Sequence, residues 1–256
     1  MSHLTSYIIV NSKYATPSSK STSDFTYSIG TVLEAEAIAV KSISIPNVHY
    51  NVNSYNNKLR VIVGATPTLI TVPEGQYTIT ELIAVVGPLL TSTVGETVTI
   101  TQAPRTFKLT IQSSTIPFVL DYNRKEYSFT DVLGFKKTTA NVISHVAPFL
   151  PNLLGTKNYY LFSSVLSQGY NTVLSDGSQI PILIDIPNDT EYGGVEHYES
   201  NDFETNLKRY SRPHNIQFID IKVMDSDLNV VDLHGIDIEM VLKVYVKDPR
   251  FGSMNK

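Results

Sequence analysis

The chain has 256 residues, 42% of them apolar and only 17% charged, with a net charge of −4 and no cysteine. Disulfides, thiolate metal sites and thiol catalysis are thereby excluded together. No Lys/Arg run exceeds two residues (Lys136-Lys137, Lys208-Arg209), so no broad electrostatic grip on nucleic acid is expected. The start, MSHLTSYIIVNSKYA, has no basic region followed by a long apolar core, so no signal peptide is expected. The longest apolar stretches fall well short of the roughly 20 residues a membrane helix needs.

In chain order, Tyr7–Val10 (YIIV) is a short apolar run with β character, either a strand used at an interface or one laid on the body of the domain. Residues 11–28 are polar and rich in Ser and Thr; they form either a flexible arm or a segment ordered on a partner. Glu34–Ile45 is the first clear strand, stopped by Pro46, and a Tyr/Asn loop (Val48–Asn57) follows. Leu59–Val63 and Leu69–Val72 form a pair around Gly64–Pro67. Thr78-x-x-Glu81 is a capping box opening a short helix with Ile79, Leu82, Ile83 and Val86 at helical spacing, ended by Gly87-Pro88. Strands are expected at Thr97–Thr101, Thr106–Gln112 and Phe118–Tyr122, then a capped turn from Ser128 closed by Gly134.

Residues 140–157 are apolar and loop-like. Tyr159–Leu166 and Ile180–Ile186 are strands, with Pro181 implying an edge or strand-start position for the second. Residues 187–213 read as a long polar loop, acids first, then Lys208, Arg209 and Arg212. Asn215–Lys222 and Ile236–Val246 alternate on either side of the turn Asp225–Asn229, which predicts a terminal hairpin with one buried and one solvated face. With no βαβ rhythm and no repeat, the economical fold is all-β: a single antiparallel sandwich with short helices and long loops in its connections. The expected division is an N-terminal arm over 1–30, a body over 31–248 with loop insertions, and a tail over 249–256.

Sites of chemistry are scarce. No two of the six histidines (3, 49, 145, 197, 214, 234) have a metal-ligand spacing, and Asp225-x-Asp227-x-Asn229 lacks the glycine and distal glutamate of a calcium loop (Val230 and Ile236 stand there). No nucleophile elbow or phosphate-binding glycine motif occurs. No catalytic residue, cofactor or metal is therefore expected. The sequon Asn188-Asp189-Thr190 reads as chance in a polar loop. Tyr50, Tyr55 and the Asn51–Asn57 stretch suit either a carbohydrate or a protein interface, where tyrosine gives large contact area at small entropic cost.

Several stretches resemble the penton, or minor capsid, proteins of virophages and polinton-like viruses: Glu36–Asn47 with the Tyr50-Asn51 loop, Pro73–Tyr77 feeding Ile79–Ile83, Leu133-Gly134-Phe135, and Ile219–Val246 with Asp232–Gly235. The resemblance implies a single jelly roll of two four-stranded sheets, five copies of which close the five-fold vertex of an icosahedral DNA-virus capsid beside a double-jelly-roll major capsid protein and other minor capsid proteins. The implied location is the virion vertex, after assembly in the host cytoplasm or viral factory. Candidate interface residues are Tyr7, Ile8, Ile9 and Val10, Tyr50 and Tyr55, and Lys208, Arg209 and Arg212. The competing expectation is a host-attachment or carbohydrate-binding β-sandwich.

Overall fold

The computed structural model describes all residues except 1–2, 124–125, 169–171, 174–176, 201–205 and 248–256, so the expected tail over 249–256 lies outside the described residues. The chain forms two compact units, a body of residues 1–49 and 156–256 and an insert of residues 50–155. The sequence expectation enclosed the insert within the body; instead these residues fold around a core of their own. No shift in composition marks either crossing.

The body is built from β1 (His3–Asn11), β2 (Asp24–Pro46), β9 (Asn158–Phe162), β12 (Ile182–Pro187), β13 (Val195–Glu199), β14 (Lys208–Met224) and β15 (Glu239–Lys247). Two short strands, β10 (Thr172–Val173) and β11 (Gln179–Ile180), pair with each other. Strands β2 and β14 are long enough to serve twice. Their mutual register breaks where residues 29–32, with Gly30 at φ 77°, face the single residue Gln217. On one side of that bend, residues 24–28 pair with residues 218–222 of β14, which in turn pairs β9, and β9 pairs β12. On the other side, residues 35–46 lie between β15 and β13, and β15 pairs β1. Numbering the eight strand segments along the chain, the two sheets read 1-8-3-6 and 2-7-4-5. All pairings are antiparallel. That order is a jelly roll.

Alternation drives this arrangement. Met240, Leu242 and Val244 of β15, Ile8 and Val10 of β1, and Ile38, Val40, Ile43 and Ile45 of β2 face inward from one sheet. Phe25, Tyr159, Leu161, Ile184, Ile186, Ile219, Ile221 and Val223 meet them from the other, forming one core. Each fully buried large apolar side chain contributes about 1.5–3 kcal/mol.

Three expectations are corrected here. The terminal hairpin does not form, because β14 and β15 belong to different sheets. After a single bridge between Met224 and Val230, the chain crosses over, and β15 joins β1 and β2. The crossover is anchored by the Asp225 carboxylate, which accepts from the Asp227 and Asn229 amides, and by the Ser23 hydroxyl, which donates to the Val231 carbonyl at 2.6 Å. Residues 187–213 are not a single loop: β13 and the start of β14 run beside β2 as an edge strand, which tolerates the charges that suggested a loop. The arm expected over 1–30 is likewise woven in, with β1 paired along its whole length to β15 and residues 24–28 inside the second sheet.

The insert carries two three-stranded sheets, β4-β3-β7 and β5-β6-β8, from β3 (Lys58–Val63), β4 (Thr66–Thr71), β5 (Val98–Gln102), β6 (Leu109–Ser113), β7 (Phe118–Asp121) and β8 (Ser144–Val146). Helix α1 (Ile79–Val94) opens on the expected capping box, with Thr78 and Glu81 bonded reciprocally. It does not stop at Gly87-Pro88 but runs on to Gly95, which caps it at φ 86°. Leu82, Val86, Leu90 and Val94 form one continuous buried stripe, and that burial outweighs the roughly 3 kcal/mol penalty of an interior proline. The four-residue helix α2 (Phe129–Val132) ends at Gly134, φ 87°, where a Cβ would lie 2.4 Å from the Phe149 carbonyl oxygen.

Candidate interaction surface

The expected interface residues fall in three separate places. On β1, Ile8 and Val10 are buried in the body core, while Tyr7 and Ile9 stand on the outer face, 56% and 62% exposed. The Lys41 ammonium lies 5.3 Å from the Tyr7 ring centroid. Among the described residues β1 pairs only with β15, and no strand pairs its other edge. Strand alternation thus divides the YIIV run between the core and solvent.

Lys208 and Arg209 sit opposite Ile38 and Ala37 at the start of β14. Lys208 is half-buried, and burial lowers its ammonium pKa from the ordinary value. Arg209 and Arg212 are exposed. His197 of β13 lies beside Ser44, its Nδ1 3.0 Å from the hydroxyl. Of the acids expected to precede these cations, Asp202 and Glu204 lie outside the described residues.

Tyr50 and Tyr55 belong to the insert, in a loop whose asparagines are turned inward. The Asn51 amide donates to the carbonyls of Tyr77 (2.9 Å) and Leu153 (3.1 Å), and its oxygen accepts from the Tyr77 amide (2.9 Å). Asn56 donates to the Asn51 carbonyl, and Asn53 to the Tyr50 carbonyl. Asn51, Asn53 and Asn57 are buried, and the amides of Asn51, Asn53 and Asn56 are spent on holding the loop. Tyr55 is left half-exposed.

The sequon is likewise built in. Asn188 Nδ2 donates to the Thr156 carbonyl at 2.8 Å and approaches the Tyr159 hydroxyl at 3.4 Å. The Tyr159 hydroxyl donates to Asn47 Oδ1 at 3.0 Å, and Asn47 Nδ2 donates to the Thr190 carbonyl at 2.6 Å. Burial first, and the Glu196 charge second, push the Tyr159 hydroxyl far above its ordinary pKa. This network clamps the two chain segments that flank the insert, residues 47–49 and 156–159, onto the body. At its side His49 is buried, and Nδ1 accepts from the Asp232 amide at 3.0 Å. Burial lowers its pKa against the opposing pull of Asp225 and Asp232.

One feature of the insert has no counterpart among the expected sites. Residues 138–156 contain no Asp, Glu, Lys or Arg. Within them Val142, Ile143, Val146, Phe149, Leu150 and Leu154 are all exposed. The sequence marks the stretch as apolar, but periodicity does not say which side faces solvent.

Among the described residues, no group of three His, Asp or Glu side chains is arranged to hold a metal ion. No helix among them is long and apolar enough to cross a membrane.

The chain matches no protein-family model and no curated protein. Among solved structures it is similar to the mavirus penton protein, with 8% identity over 94% of this chain and 99% of that one and a TM-score of 0.45. It is also similar to a chain from the structure of the Sputnik virophage, with 12% identity over 95% of this chain and 98% of that one and a TM-score of 0.43.

Proposed function

We propose that this chain is a structural capsid protein, a minor capsid or penton protein whose copies form pentamers at the five-fold vertices of an icosahedral DNA-virus shell. Its partners are further copies of itself, a double-jelly-roll major capsid protein and other minor capsid proteins, and its place is the virion vertex. The observation that carries this reading is the strand order of the body. Capsid and lectin domains share that order, and two further features favour the capsid. The stretches that resemble penton proteins include the central strand of one sheet (residues 36–46) and the whole β14-to-β15 crossover. The side-chain amides of Asn51, Asn53 and Asn56 that a sugar site could use are committed to backbone carbonyls of the insert.

Ring closure requires a heterologous contact, in which two different surfaces of one copy meet their complements on its neighbours. The β1 edge, with Tyr7 and Ile9, and the start of β14, with Lys208, Arg209 and Arg212, offer different chemistry at different places. Negative-stain electron microscopy of the purified chain tests the reading, with five-fold rings as the expected result. A strictly monomeric protein that binds glycans on an array would replace it with the attachment reading.

A further inference from the structure

The segment 142–154 of the insert is fixed at the backbone and apolar at the surface. The Val142 amide donates to the Phe118 carbonyl and the Phe118 amide to that of Val142. The Ser113 amide donates to the Ile143 carbonyl, and β8 pairs β6. The amides of Ala147, Phe149 and Asn152 reach the carbonyls of Leu109, Gly134 and Val132. The six exposed apolar side chains therefore project from a held frame.

Their orientation runs against the usual economy of an edge strand. In β8 the polar His145 faces inward, packed 4.4 Å from the Phe118 ring with Nε2 buried and unbonded, while Val146 faces out, 65% exposed. A strand selected to meet water would carry these two residues the other way round. Six roughly half-exposed side chains of this size together present on the order of 500 Å² of apolar surface, an amount comparable to the largest patch on a typical monomer. It would supply most of the roughly 800 Å² that one partner contributes to a stable interface. Interface centres are also depleted in charge, as this stretch is.

We propose that residues 142–154 form the apolar centre of a contact with the body of a second copy of this chain. The charge distribution favours that occupant. The insert (residues 50–155) has 8 Lys and Arg against 6 Asp and Glu, a net of +2. The remaining residues have 12 against 18, a net of −6, and the two together give the chain's −4. Lys136 borders the patch, its Nζ 5.1 Å from the Phe149 ring centroid, and supplies a basic rim for the acidic body of a neighbour. Insert against body is a heterologous contact, the kind a ring needs. The inference rests on the capsid reading and names one surface that serves it.

The test is sedimentation velocity of the full chain over a range of concentrations, for the wild type, Val146→Glu and Leu154→Lys. Both side chains point to solvent (Leu154 is 74% exposed), so an unchanged thermal melt certifies folding. The wild type should assemble, and each variant should weaken assembly at least about tenfold. Raising salt should weaken the wild type as well, by screening the lysine rim. Assembly of both variants at wild-type strength would overturn this inference and leave the ring reading standing. A wild type that stays monomeric throughout would overturn both. Flotation of the monomer with zwitterionic lipid vesicles would overturn it in favour of a lipid surface.

Discussion

Tyr159→Phe removes one oxygen from the middle of the body and leaves the ring in place. In the wild type that oxygen donates to Asn47 and receives a longer contact from Asn188. The deletion costs one neutral hydrogen bond, about 1 kcal/mol, and leaves Asn47 Oδ1 short of its donor in a part-buried setting, about 1 kcal/mol more. The expected loss near neutral pH is about 2 kcal/mol. Alkaline pH should reverse the trend. Burial raises the folded-state pKa of Tyr159 above its unfolded value. The stability it contributes is therefore intact below about pH 10 and is lost as pH rises above that value, by up to about 1.4 kcal/mol per unit. Phenylalanine has no such term, so the gap between the two proteins should shrink from about pH 9 to pH 11. Urea unfolding followed by near-ultraviolet circular dichroism measures both quantities, and the subtraction cancels the other fourteen tyrosines. A variant within about 0.5 kcal/mol of wild type near pH 7, or a gap independent of pH, would refute the account of this network.

The folded state holds His49 and His145 below their ordinary pKa by burial, so the protein should lose stability as pH falls below about 6.5, and His49→Gln should flatten that slope in acid-titration melts. Asp220 accepts four hydrogen bonds from Ser163, Ser164 and Val165, which pins the turn after β9; Asp220→Ala should cost about 2–4 kcal/mol and increase amide exchange across 163–167 by mass spectrometry. Pro88 is exposed inside α1, so Pro88→Ala should stabilise the insert by about 1–3 kcal/mol in thermal melts. Removing residues 1–11 takes out a complete strand with two core side chains, and the truncated chain should be recovered aggregated by size-exclusion chromatography rather than as a folded body without an arm.

The period of two in Ile219–Val223 and Met240–Val244 was sufficient to place β14 and β15. It did not say that these neighbours in sequence would separate into opposite sheets, because pairing is decided by contacts with β1 and β2, some two hundred residues away. Gly87-Pro88 is a strong local stop signal, but Leu90 and Val94 continue the stripe of Leu82 and Val86, and tertiary burial won. The acids around β13 concealed a strand because an edge can carry charge on both faces. The jelly-roll body was legible; the separateness of the insert was not, since no glycine- or proline-rich linker announces it. Of the surface residues, Tyr7 and Ile9 were found in the run that contained them. The Asn51–Asn57 loop misled because composition does not distinguish an amide offered to a ligand from one folded back on its own backbone.

The pairing of β1 with β15 also governs how the chain can be made. A nascent chain leaving the ribosome must hold its first strand unmatched until residue 247 has emerged. During that wait residues 50–155, a compact unit formed from one continuous stretch, are free to fold first and complete their own nucleus. Emergence of β15 is then the event that gives β1 its partner, so a product stalled before that strand should be recovered with a native insert on an unzipped body.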